Sequence, residues 1–183
     1  GIGTAVSTLV GQHIGNNRPD IAERTTWSAV HLTLIYMGTM AAGYSLVPHL
    51  FLRPFSAKAD PETFSEVWEM CVVLLRFIAV YSVFDGMYIV FSAGVKGAGD
   101  TRFVMYVSTL MSWTIMVIPT YLSVAVYGWG LFTAWIFVTV YIVLAGTMFM
   151  LRFMGGKWKT MRVIEAVAPV VAPVAEDPDV GMV

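Results

Sequence analysis

Charge is what this sequence has least of. Only 13% of its 183 residues are Asp, Glu, Lys or Arg, against 57% hydrophobic, where a soluble domain carries about 25% charged residues. Too few charges remain to wet a globule of this size, which excludes an ordinary water-soluble domain and makes lipid the solvent. A net charge of −1 leaves no electrostatic footprint for nucleic acid. Cysteine is nearly missing: Cys71 stands alone in an apolar stretch, so neither a disulfide framework nor a cysteine metal site is available. Catalytic signatures are missing too. No HExxH, CxxC or Ser/His/Asp set occurs. The glycine-rich stretch 94–102 follows an apolar helix rather than a strand and lacks the Gly-Lys-Ser/Thr ending of a phosphate loop. The sequence therefore reads as no enzyme, with no cofactor.

What is present is long apolar runs. Residues 25–52, 103–126 and 129–151 contain no Asp, Glu, Lys or Arg, and the mean hydropathy of the chain is +0.72. Each run exceeds the roughly 20 residues that carry a helix across a hydrocarbon core of about 30 Å. A further run, 67–95, is equally long but holds Glu69, Arg76 and Asp85. Residues 1–15 are apolar but short, with no basic leader and no cleavage site; they read as the cut end of a helix that begins upstream. Lipid offers no partner for backbone N–H and C=O groups, so these runs are expected to be helices. The expectation is an all-α transmembrane bundle over residues 1–160, with helices at about 1–15, 25–52, 67–95, 103–126 and 129–152. Residues 161–183, rich in Val, Ala and Pro and then acidic, read as a flexible tail.

The breaks have chemical causes. Asn16-Asn17-Arg18-Pro19-Asp20 is turn sequence, Arg53-Pro54 closes the second helix, and Asp60-Pro61 reads as an N-cap followed by proline at the first helical position. Glycines 94, 97 and 99 end the third helix, and Asp100 is placed to cap the fourth. Pro48 and Pro119 each remove a helical hydrogen bond and can bend a span. Alternating sides put Arg18, Arg24, Lys96, Arg102, Arg152, Lys157, Lys159 and Arg162 on one face of the membrane, against Arg53 and Lys58 on the other. The positive-inside rule then predicts a multi-pass protein of the cell (inner) membrane with a cytoplasmic C-terminus.

Asp85 is the residue most expected to carry function. It lies deep in its helix, where a carboxylate costs about 2.5–3.5 kcal/mol on insertion scales and so avoids lipid. It needs a cavity, a bound cation or a retained proton, or else a structural bond to a neighbouring helix. Tyr81, one turn earlier, shares its face, together with Tyr88 and Ser92, while Ser82 flanks it. Tyr88, Ser92 and Ser82 are candidate cavity-lining residues. Arg76 falls on the opposite side of the helix and reads as structural. Gly11–Gly15 and Gly38–Ala42 have the spacing of close-packed helices. His31 and His49 lack a ligand set. The chain's 12 Met and 14% aromatic residues suit packing or an adaptable wall for flat organic cations.

Two stretches are more specific. Gly1-Ile-Gly-Thr-Ala-Val-Ser-Thr-Leu-Val-Gly-Gln-His-Ile-Gly resembles the G-I-x-x-A-x-x-T-L-V-G-Q-x-x-G helix of the multidrug and toxic compound extrusion (MATE) family. Phe84-Asp85-Gly86 followed by Gly97-Ala98-Gly99-Asp100-Thr101-Arg102 resembles that family's F-D-G … R-G-A-G-D-T-R helix and loop, with Lys96 where Arg is usual. The resemblance implies a twelve-helix, two-lobe transporter of which this chain holds about five helices of the C-terminal lobe. It implies secondary active multidrug efflux by Na⁺ or H⁺ antiport, with small organic, often cationic, substrates. It also implies Asp85 and Tyr81 as the coupling-cation site, with Asp85 a metal ligand only if the ion is Na⁺. Partners would be membrane lipid and the missing N-terminal lobe of the same chain; in the branch of the family that uses this cation site, helix 7, also missing here, supplies a second carboxylate. The alternative is a flippase for lipid-linked or glycan precursors, which would need a more cationic cavity.

Overall fold

The computed structural model describes residues 1–56 and 61–161, with backbone alone at 55, 56 and 61–66. The expected tail beyond 161, the Asp60 cap, Lys58 and Arg162 lie outside the described residues. Helices α1 (Ile2–Gly15), α2 (Pro19–Leu46), α3 (Pro48–Ser56), α4 (Pro61–Gly97) and α5 (Thr101–Met111) are followed by two π-helical segments, Ser112–Val117 and Leu122–Val126, that flank α6 (Ile118–Tyr121). Helix α7 (Leu131–Met154) and a 3₁₀ turn, Lys157–Thr160, complete the order. No strand occurs among the described residues, and the chain is an all-α bundle. Val67–Gly97, Thr101–Val126 and Leu131–Met154 are long and apolar enough to cross a membrane.

The expected single helix over 25–52 is instead two. It starts earlier, at Pro19, and stops at Leu46, where α3 turns away by 80°. Proline drives the residue before it out of the helical region. Val47 accordingly adopts φ −131°, its N–H still donating to Gly43 O, and Pro48 opens α3. Counted together, α2 and α3 form one bent span. Pro119 has a different outcome. Thr101–Val126 stays a single span, and the lost hydrogen bond and ring clash of proline are met by widening to π-helix on both sides.

Helix α4 is the centre, packed by α1, α2, α5 and α7. Glycines set the closest approaches. A Cβ on Gly97 would lie 2.9 Å from Ser7 Cα on α1, and one on Gly86 would lie 2.6 Å from Thr33 Cγ2 on α2. On α7, a Cβ at Gly146 would sit 3.4 Å from Phe84 O and 3.6 Å from Tyr88 Cβ. Gly11 also packs, 3.2 Å from Gly97 O by the same measure, whereas Gly15 and Gly38 meet nothing within 4 Å. The spacing signal thus marks a contact at Gly11 but none at Gly38. The core runs through Val6, Val10, Val30, Val90, Phe91 and Phe149. Large apolar residues such as Leu32, Ile35, Leu110, Leu144 and Met148 face outward, which fits a surface wetted by lipid.

Ion pairs join helix ends around the close of α7. There Arg152 of α7 donates through Nε (2.8 Å) and Nη2 (2.7 Å) to Asp100 Oδ2, and its guanidinium lies 4.4 Å from the Phe103 ring centroid. Asp100 does precede α5, but its side chain makes no cap bond and faces Arg152 instead. Lys159 pairs with Glu23 of α2 at 2.6 Å. Trp158 is only 1% exposed: it stacks on Phe153 at 4.7 Å, and its Nε1–H donates to Phe153 O. The chain after α7 is therefore tied back over α2.

Two outcomes test this packing in the complete protein that carries the chain, purified in detergent. Gly97→Ala should lower the unfolding midpoint through overpacking of about 1–3 kcal/mol, whereas Gly38→Ala should leave it unchanged or slightly raised. Asp100→Asn should cost about 1–3 kcal/mol, since a charged donor loses its counter-charge. The swap Asp100→Arg with Arg152→Asp should recover part of that loss in the same melting assay.

Candidate cation-coupling cluster

Asp85 lies in the middle of the α4 span, about 18 Å along the axis from Gly97 at 1.5 Å per residue. It is half-buried. No hydrogen bond or ion pair reaches its carboxylate among the described residues, although Asp100 and Glu23 are both paired. Arg76, its nearest cation on the helix, is exposed on the far side, as helical spacing requires.

The neighbouring face of α4 looks toward α7. Phe77 meets Phe132 at 6.5 Å between ring centroids, and Tyr88 meets Tyr141 at 6.3 Å and Phe149 at 5.3 Å. The α7 backbone at Gly146 runs beside Phe84 and Tyr88, where a Cβ would lie 3.4 Å from Phe84 O and 3.6 Å from Tyr88 Cβ. Tyr81 is half-buried and within electrostatic reach of Asp85 and Tyr88; Tyr141 is within reach of Tyr88, Tyr81 and Asp85. The Tyr88 hydroxyl lies 3.3 Å from Ser108 Oγ on α5. Three phenols and one carboxylate therefore share a region contributed by α4 and α7, with α5 at its edge.

Of the residues expected from sequence, Asp85, Tyr81 and Tyr88 come together. Ser82 and Ser92 do not join them through their hydroxyls. Ser82 Oγ donates to Ala79 O at 3.0 Å and Ser92 Oγ to Ile89 O at 3.2 Å, and Ser92 is 4% exposed. His31 donates from Nδ1 to Trp27 O at 2.7 Å and His49 stacks on Trp68, so both histidines are engaged structurally. Sequence spacing does not single out Tyr141 and Ser108. They sit on other helices, and only the periodicity of α4 is legible around Asp85. An open notch of about 550 Å³ lies elsewhere, lined by Asp20, Glu23, Arg24, Trp27, Ser28 and His31 of α2.

Chemically, one carboxylate with phenolic oxygens is a hard-oxygen donor set suited to a small cation or a proton. No group of three or more His, Cys, Asp or Glu residues able to hold a metal occurs among the described residues. A complete shell would need oxygens beyond this set.

The MatE family model matches residues 1–122, from α1 through Asp85 to the turn after Pro119. The chain belongs to the MatE family. The two motifs thus point to the family that the whole-sequence comparison also finds. The chain is 24% identical, over 90% of its length, to a probable multidrug resistance protein NorM of Thermotoga maritima, 34% of which is covered. It is 30% identical to one of Mesorhizobium japonicum and 31% identical to the multidrug resistance protein NorM of Burkholderia vietnamiensis, with 24% of each covered. The MatE chain spans about a third or less of the length of these curated relatives.

Proposed function

We propose that this MatE chain is part of a secondary active multidrug exporter in which a coupling cation, Na⁺ or H⁺, at Asp85 drives the outward movement of organic, often cationic, compounds. The observation that carries this reading is the isolation of Asp85. A mid-span carboxylate with no counter-charge among the described residues is costly in lipid unless a cation or a proton neutralises it. The paired state of Asp100 and Glu23 supports the contrast, because those carboxylates have partners and so no need of a mobile one.

Binding a cation at Asp85 shifts the transporter between inward- and outward-open states only by its differential affinity for the two. A site on α4 facing α7 suits that role, because alternating access works by movement of packed helices around a midplane site. The alternation of spans, which puts Arg18, Arg24, Lys96, Arg102, Arg152, Lys157 and Lys159 on one side, supports placing that side in the cytoplasm of a cell-membrane protein. The substrate path in this reading lies between this bundle and a second lobe of the complete protein.

The test is dye efflux from proteoliposomes holding the complete protein, under imposed Na⁺ or H⁺ gradients. Wild type should export, and Asp85→Asn should lower the rate at least about tenfold, an interaction loss of roughly 1.4 kcal/mol or more. The gradient that drives wild type names the ion. Normal export by Asp85→Asn would reduce the carboxylate to a structural part. No dye export under either gradient would favour a flippase for lipid-linked precursors.

A further inference from the structure

We propose that Tyr141 of α7 is a positioning residue of the Asp85 site, its hydroxyl setting how the carboxylate and Tyr88 meet the coupling cation. The inference rests on the coupling role of Asp85 proposed above and extends it to a second helix. Three observations carry it.

Tyr141 is built into the same region as Asp85. Its ring lies 6.3 Å from that of Tyr88, on the side of α4 where Tyr81 and Asp85 also lie. Further along α7 the backbone at Gly146 runs beside α4, where a Cβ would make an ordinary contact with Phe84 O at 3.4 Å.

Tyr88 has the features of an intermediary. Phe149 holds its ring at 5.3 Å, Tyr141 holds it at 6.3 Å, and Ser108 Oγ meets its hydroxyl at 3.3 Å. Packing alone already orients the ring, so phenylalanine at 141 would preserve the ring contact. What tyrosine adds is an oxygen in an apolar span, where a polar group without a partner is costly. Tyr88 is the polar side chain that its ring meets, with Tyr81 and Asp85 within electrostatic reach.

A phenol both donates and accepts. Toward a bare carboxylate it donates; toward a bound cation it turns a lone pair. Tyr141 therefore responds differently to the two states of Asp85, and it does so from α7, whose far end is pinned to the α4–α5 connection by Arg152 and Asp100. The state of Asp85 is in this way read by a second helix.

The experiment measures transport by the complete protein in proteoliposomes against coupling-cation concentration, with rates normalised to folded protein recovered by size exclusion. Tyr141→Phe should raise the half-maximal cation concentration about 5–10-fold, as expected when a phenol oxygen near a charged site is removed, with the maximal rate within about twofold of wild type. Tyr141→Leu, which also removes the ring, should lower the amount of folded protein in addition. If Tyr141→Phe keeps the wild-type cation dependence while Asp85→Asn is inactive, the inference is overturned and the Asp85 reading stands. A fall in maximal rate alone also overturns it, leaving Tyr141 a packing role. Wild-type behaviour in both variants overturns the inference and the Asp85 reading together.

Discussion

The bundle depends on how closely other backbones can reach α4. In lipid, apolar side chains gain nothing by leaving solvent for protein, so helices are held by dispersion contacts, short approaches and a few polar bonds. Gly97 against Ser7, Gly86 against Thr33 and Gly146 against Phe84 provide those approaches to α1, α2 and α7. Around them Val90, Phe91 and Phe149 are fully covered. A side chain at Gly97 or Gly86 would force its neighbour to shift, whereas a Cβ at Gly146 would make only ordinary contacts.

The few charges are divided by the same architecture. At one end, Arg152 and Asp100 join α7 to the α4–α5 connection, and Lys159 and Glu23 join the end of the chain to α2. Trp158, stacked on Phe153 and bonded to its carbonyl, closes that end. In mid-span the chain retains one carboxylate with no such partner among the described residues, on the face where Tyr81, Tyr88 and Tyr141 converge. Two ion pairs serve that end, and mid-span Asp85 has none among the described residues.

The prolines show how local chemistry and packing share control. Pro48 follows a residue free to become extended, and the chain turns by 80°. Pro119 lies between residues that remain helical, and the span absorbs it as π-helix rather than bending away. Either response is open to each proline. The covalent constraint is the same, and the difference lies in whether the neighbouring backbone continues in one direction.

Much of the bundle is legible in the order of residues alone. The apolar runs require helices because backbone polar groups find no partner in lipid, and the 3.6-residue period puts Tyr81 and Tyr88 beside Asp85 while sending Arg76 to the far side. The paired motifs around Gly97–Arg102 and in α1 carry the family. Contacts that cross helices cannot be read that way. Sequence spacing places Asp100 as a cap, but Arg152, 52 residues away, takes its carboxylate; Ser92 shares the right face, but its hydroxyl bonds its own helix. Tyr141 reaches Tyr88 from α7 and Ser108 reaches it from α5, contacts that depend on how three helices pack. The sequence by itself determined which segments are helical and which face of α4 carries oxygen, since both follow from local periodicity and solvent. Tertiary structure alone decided which oxygens meet, because helix crossings are set by side-chain volume at positions far apart in the chain.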